Sequence, residues 1–122
     1  MPVKKLPNPY TMIGSSEGGN MPINQFKAQI GIRVISNYAD MGWCSNSYGC
    51  ELVHYSLKVI RNGKEIFNDT TLTTIYYNDK IKSFVENTLQ KGDTVIFYSF
   101  VCLLFKKEVR KLNQEMKFVM TD

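Results

Sequence analysis

The sequence predicts an α+β fold in which a mainly antiparallel, sandwich-like β-sheet carries two short helices. Two segments space their apolar residues as helices do, and each runs into a glycine. The dipeptide Asn62-Gly63, which is preferred in two-residue hairpin turns, joins two alternating segments. The run from Thr94 to Phe105 is apolar on both faces of an extended chain, which predicts a strand in the middle of the sheet.

The chain divides into a short lead-in and one domain. Residues 1–9 contain three prolines and predict an extended lead-in or linker, and residues 10–122 predict a single β-rich domain. A short strand is expected over 10–13, and the glycines that follow it predict a turn over 15–20.

The first predicted helix begins near Pro22 and ends at Gly31. Its apolar stripe consists of Ile23, Phe26 and Ile30. A strand over 32–37 and a polar loop over 39–49 follow.

The predicted hairpin joins a strand over 52–61 to one over 64–67. Apolar and polar residues alternate along the first strand, so one face is expected to be buried and the other exposed to solvent. The buried face would hold Val53, Tyr55, Leu57 and Val59, opposite His54, Ser56 and Lys58.

A second helix is predicted between a cap at Asn78 or Asp79 and a closing Gly92, with an apolar stripe of Ile81, Phe84, Val85 and Leu89. In the strand that follows, one face would hold Val95, Phe97, Val101 and Leu103, and the other Ile96, Phe100, Cys102 and Leu104. Helices are expected to cover one face, and another sheet or subunit the other.

The last segment, 108–120, fits both a helical stripe and an alternating strand, and local propensity favours the helix.

Composition describes an ordinary globular domain of 122 residues, 43% hydrophobic and 21% charged. The net charge is +4 and the cations are spread along the chain, so no basic face for nucleic acid is predicted. No apolar run reaches the ~20 residues of a membrane helix, and the N-terminus lacks the apolar core of a signal peptide. Any anchor or export signal is therefore expected outside this chain, as in a fragment of a longer protein.

No motif for catalysis, metal binding or cofactor binding stands out. His54 is the only histidine, and the five residues between Cys44 and Cys50 are not the spacing of a zinc site. An oxidising compartment would permit a disulfide between these cysteines, worth ~2 kcal/mol, and three free thiols are the alternative. Cys102 is expected to be a small buried residue. We therefore predict neither a metal nor a cofactor.

Four aromatic residues lie in or beside predicted loops, namely Trp43, Tyr48, Tyr76 and Tyr77. Rings at loop tips are common anchors of protein interfaces, which predicts these residues as part of a partner interface. The alternative is that they fold back over the edges of the sheet.

Three blocks of residues carry a family resemblance through their order and spacing. The first runs from Pro9 to Asp40 and contains Gly14, Gly18, Gly19, Met21, Phe26, Ala28, Gly31, Asn37 and Tyr38. The second is the strand from Tyr55 to Val59 with the turn at Asn62 and Gly63. The third consists of Gly92, Asp93, Val95, Phe97, Arg110, Lys111, Leu112, Met116, Lys117 and Phe118. Together they span about 7–120 and resemble the C-terminal domain of the GldM/PorM family, periplasmic components of gliding motility and type IX secretion in Bacteroidetes.

The resemblance implies a non-enzymatic scaffold or interaction domain in the periplasm. Proteins of this family are dimers whose inner-membrane helices couple to a motor and whose periplasmic rod meets an outer-membrane-associated ring. The terminal domain lies at the ring end, so the implied partners are ring proteins and a second copy of the chain. Membrane contact would occur only through regions outside this chain. The resemblance also favours a strand over a helix for 108–120.

The expected partner interface combines the loop aromatic residues with a predicted hairpin tip. Its residues are Trp43, Tyr48, Tyr76, Tyr77, Phe105, Lys106 and Lys107. Two other functions stay open. A ligand-binding sensor module of an envelope signalling protein would need a polar cavity, and a small enzyme would have to use Cys44, Cys50 or His54.

Overall fold

The structure, a computed structural model, describes residues 10–35, 50–104 and 108–122. The strands are β1 (Tyr10–Met12), β2 (Gly19–Pro22), β3 (Arg33–Ile35), β4 (Cys50–Arg61), β5 (Lys64–Leu72), β6 (Thr94–Leu104), β7 (Glu108–Lys111) and β8 (Met116–Thr121). The helices are α1 (Ile23–Lys27) and α2 (Asp79–Asn87).

Strands β2, β8, β6, β4 and β5 lie side by side in that order, and β7 also pairs with β6. All neighbours in this sheet are antiparallel except β2 and β8, which are parallel. Strands β1 and β3 form a separate antiparallel pair. The predicted α+β, sandwich-like fold with two short helices is confirmed, and β6 lies inside the sheet as predicted.

The core lies on one face of the large sheet, under the helices. Phe26 of α1 packs between Phe97 of β6 and Phe118 of β8, with 6.3 Å between ring centroids in each pair. On α2, Ile81 and Val85 are buried in the same core. The largest fully buried side chains are Tyr55, Phe26, Phe97, Phe100, Phe118, Ile13, Met21, Leu57, Ile81 and Met116.

The predicted assignment of faces along β6 is wrong beyond Phe97, because the strand contains a β-bulge. Ser99 has a positive φ of 56°, and the core-facing residues step from Phe97 to Phe100. The buried core set is therefore Val95, Phe97, Phe100 and Cys102. An insertion of one residue shifts the alternation, so Phe100 and Cys102, predicted on the face opposite Phe97, lie on the same face as Phe97.

The opposite face of the sheet is covered in part by long side chains. Ile96, which is buried, lies in register between Lys58 and Lys117 on the neighbouring strands. The Lys58 ammonium lies 4.9 Å from the centre of the Tyr98 ring. Lysine stems can cover apolar surface while their charges stay in water, so this face needs no second layer of chain to bury Ile96.

Both helices are shorter than the sequence predicts. Helix α1 ends at Lys27, and Ile30, expected in its apolar stripe, is 66% exposed. The Asn78 cap of α2 is confirmed, since its side-chain oxygen accepts a 2.8 Å hydrogen bond from the Ile81 N–H. Gly92 has the expected positive φ, but it lies beyond the end of α2, in the turn into β6.

The final segment forms strands β7 and β8, as the resemblance implied and against local helix propensity. Tertiary packing decides the outcome, because the alternating apolar residues line the core. The buried set is Leu112, Met116, Phe118 and Met120.

Candidate interaction groove

Most of the predicted interface cannot be placed. Trp43, Cys44, Tyr48, Phe105, Lys106 and Lys107 lie outside the described residues. Cys50 begins β4, but its predicted disulfide partner, Cys44, is not described. Tyr76 and Tyr77 are described, and the structure separates them.

Tyr77 is only 4% exposed, so its prediction as an interface residue is wrong. Its ring stacks on Phe97 with 6.4 Å between the centroids, and its N–H donates a 3.0 Å hydrogen bond to the Ile30 carbonyl. Burial raises the pKa of the Tyr77 hydroxyl, and the neighbouring Tyr55 raises it further. Tyr77 is therefore a core residue, whereas Tyr76 is 58% exposed on the other side of the same segment.

Tyr76 borders a groove of about 460 Å³. The groove exists because β4 extends further than its neighbour β5. The pairing of the two strands ends at Tyr55 and Leu72, whereas β4 continues to Cys50 along β6. Among the described strands, none pairs with the other edge of β4 over 50–54. The groove is lined by Val34, Glu51, Leu52, Val53, Thr73, Thr74, Ile75 and Tyr76.

One wall of the groove is fixed by backbone contacts to Gly31. The Ile32 N–H donates to the Ile75 carbonyl at 2.8 Å, and the Tyr77 N–H donates to the Ile30 carbonyl, which makes an antiparallel bridge. Gly31 lies at the centre of this bridge, and a β-carbon there would lie 2.9 Å from the Tyr76 Cα and closer still to the Ile75 carbonyl oxygen. Only glycine lets the two backbones approach this closely.

A buried carboxylate fixes the chain on both sides of the same wall. Asp69 accepts hydrogen bonds from the Thr71 N–H at 2.9 Å and from the Asn78 side-chain amide at 3.0 Å. Burial would raise the pKa of the Asp69 carboxyl, but hydrogen bonds from the Thr71 hydroxyl, the Asn78 amide and the Thr71 N–H outweigh it. Together with the nearby charge of Lys80, they hold the pKa below its usual value. The segment from Thr73 to Tyr76 is thus held at its two ends.

The groove combines an apolar floor with polar rims. Leu52 and Val34 are buried at its floor, and Thr73 and Thr74 are exposed. Glu51 is the charged residue among those that line it. A strand edge that has no partner strand can accept an extended peptide by strand addition, and the exposed Tyr76 ring lines the same groove. Sequence reasoning found Tyr76 but missed the β4 edge, which depends on where β5 stops.

No family model matches the sequence, and no curated protein matches it. Within the described residues, no group of three or more His, Cys, Asp or Glu side chains could hold a metal ion. In the same part of the chain, neither helix has the length and apolar character needed to cross a membrane.

Proposed function

We propose that this chain is a protein-binding domain related to the C-terminal domain of the GldM/PorM family. In this proposal it works without catalysis in the periplasm and contacts an outer-membrane-associated ring of the type IX secretion or gliding machinery. The observation that carries the proposal is the groove beside Tyr76, where the edge of β4 continues past the end of β5.

Three features support binding of an extended protein segment there. The edge of β4 over 50–54 can pair through its backbone with a strand of any sequence. The Tyr76 ring, 58% exposed, offers a large apolar area with little side-chain entropy to lose. Glu51 at the rim favours a partner that carries a lysine or arginine next to the pairing strand.

The fold is consistent with the resemblance at the turns that carry it. Positive φ values occur at Gly14, Gly18, Gly19, Gly63 and Gly92, each of which belongs to the resembling blocks. Backbone conformations that only glycine adopts readily are a physical reason for glycine at these positions.

The experiment measures binding of the purified domain to the ring protein of the same organism by biolayer interferometry. We expect Tyr76→Ala to weaken binding about tenfold or more, as loss of an interface anchor does. Circular dichroism should show a melting temperature close to that of the parent chain, because the ring is exposed.

The matched control is Ile66→Ala, which truncates an exposed apolar residue of β5 at the opposite end of the β4–β5 pair. This variant should bind as the parent does. Absence of binding by the parent chain, or equal loss in both variants, would contradict the proposal.

A further inference from the structure

The register in which β4 pairs with β6 is displaced by one residue at a single residue pair. Leu52 faces Cys102, and Ser56 faces Tyr98, in one common register. Between them, His54 faces Val101, one residue out of that register. A bulge in β4 is thus cancelled by a second bulge in β6, and the displacement is confined to the His54–Val101 pair.

The two bulges direct this pair away from the core. Tyr55 and Leu52 are buried in the core, so His54 between them projects from the opposite face of β4. Val101 lies in the same way between the buried Phe100 and Cys102. Bulges are frequent beside functional sites because they change the direction of a side chain.

Lys111 completes a row across three strands. Val101 faces His54 on one side and Lys111 of β7 on the other, so the three side chains share a face. Neighbouring strands lie about 4.8 Å apart, which places the His54 and Lys111 backbones about 10 Å from each other with Val101 between them. An anion between the two side chains could contact both.

A cavity of about 400 Å³ lies at this row. Its polar lining adds the exposed Ser99 and Asn113 to His54 and Lys111, and its other three lining residues are apolar. The described residues that line it therefore include no carboxylate. Ser99 has a φ of 56°, a left-handed backbone conformation that residues other than glycine rarely adopt. Strain of this kind persists where the surrounding structure enforces it, and it is frequent at binding sites.

We propose that this cavity binds a small anion through oxygen atoms, as in a phosphate or carboxylate group. The Lys111 ammonium supplies the charge, and the His54 imidazole, the Ser99 hydroxyl and the Asn113 amide supply further hydrogen-bond donors. The site lies on the face of the sheet opposite the core. It shares no lining residue with the groove beside Tyr76. It gives the domain a ligand beyond its protein partner.

The chain has a single histidine, so its imidazole proton signals in an NMR spectrum belong to His54 and report on this site. Sodium phosphate and sodium acetate are titrated separately at constant ionic strength, with sodium chloride as the reference. We expect a saturable shift of the His54 signals by one of the two oxyanions below about 20 mM. Saturation by phosphate alone or by acetate alone identifies the group that the site prefers.

Lys111→Gln should weaken this binding about tenfold, and Lys111→Arg should restore it. Lys117→Gln is the matched control, because Lys117 is an exposed lysine on the same face of the sheet, beside Ile96. The proposal is overturned if neither oxyanion shifts His54 more than chloride does, or if Lys117→Gln weakens binding as much as Lys111→Gln. Unchanged backbone amide spectra of the variants establish that they are folded.

Discussion

The two ends of β4 are built in opposite ways. At one end, Arg61 leads directly into the turn to β5, and its guanidinium donates two 2.8 Å hydrogen bonds to the carboxylate of Asp93. At the other end, past the pair of Tyr55 and Leu72, β5 has left the sheet and the groove opens beside Glu51. The hydrogen bonds to Asp93 hold the Arg61 end of β4, which we call the tied end. At the other end, the open end, no described strand pairs with the outer edge of β4 over 50–54.

The tied end joins several parts of the chain. Arg61 also donates to the Thr88 carbonyl just after α2, and Asp93 accepts a hydrogen bond from the Gln90 N–H. The Met120 N–H of β8 donates to the Asp93 carbonyl at 2.9 Å. These contacts join the end of β4 to the end of α2, the turn into β6 and strand β8.

The largest expected effect is at the wall of the open end. Gly31→Ala places a β-carbon against the Ile75 carbonyl and the Tyr76 Cα, both of them backbone atoms that cannot rotate away. The bridge must separate, and we expect a loss of about 3 kcal/mol or more in the free energy of unfolding. Urea unfolding followed by circular dichroism measures it.

Ile30→Ala is the control for this change, because it alters the neighbouring residue, whose side chain is 66% exposed. It should change stability by less than about 0.5 kcal/mol. If Gly31→Ala unfolds at the same urea concentration as the parent chain, the wall is not held by this close approach.

The next effect tests the tied end. The Asp93 side chain is 1% exposed, and Asp93→Ala leaves the Arg61 guanidinium and the Gln90 N–H without their acceptor. We expect a loss of about 2–3 kcal/mol, measured by urea unfolding at pH 7. Asp122→Ala removes a carboxylate that is 87% exposed and paired with Lys91, and it should cost less than about 1 kcal/mol.

Lowering the pH should reduce the stabilisation that Asp93 provides at the tied end of β4. Burial would raise the pKa of the Asp93 carboxyl, but the hydrogen bonds from Arg61 and from the Gln90 N–H outweigh it and lower the pKa. The folded state therefore binds this proton less readily than the unfolded chain does, and the stabilisation is present above the unfolded pKa of about 4. It is lost as the pH falls through the lower folded value.

Measurements of unfolding free energy between pH 7 and acid check this prediction. The decline below pH about 4 should be smaller in Asp93→Asn than in the parent chain, because the titrating group is gone. Asp69, whose pKa is also lowered, should preserve part of the decline. An equal decline in the variant and the parent would show that Asp93 does not contribute.

The tied end could largely be predicted from the sequence. Asn62 and Gly63 have positive φ values of 52° and 77°, as their dipeptide predicts for this hairpin. Outside the tied end, the Asn78 cap was predictable in the same way, since a short polar side chain satisfies the first N–H groups of a helix locally. Local chemistry decides these features, so a few residues contain the information.

The open end could not be predicted in the same way. Its groove depends on the point where β5 separates from β4. The backbone bridge between Gly31 and Tyr76 fixes this point. Gly31 lies about 20 residues before β4 and more than 40 residues before Tyr76 in the sequence, so local patterns do not reveal the bridge. Tyr76 and Tyr77 are adjacent, and only tertiary packing makes one exposed and the other buried. The bulges at His54 and Ser99 escaped prediction because one extra residue in each strand reverses the alternation that reveals a buried face.

The smallest predicted effect tests whether the two ends are independent. Gly63 has a φ of 77°, and no atom would contact a β-carbon there, so Gly63→Ala introduces backbone strain without a clash. We expect it to cost about 1 kcal/mol, and Gly63→Asn to cost about half as much, because asparagine tolerates this conformation better. Urea unfolding gives both values. Because the turn lies at the tied end, neither variant should change the affinity for the ring protein that we propose as the partner. A loss of binding as large as that of Tyr76→Ala would mean that strain at Gly63 reaches the groove along β4.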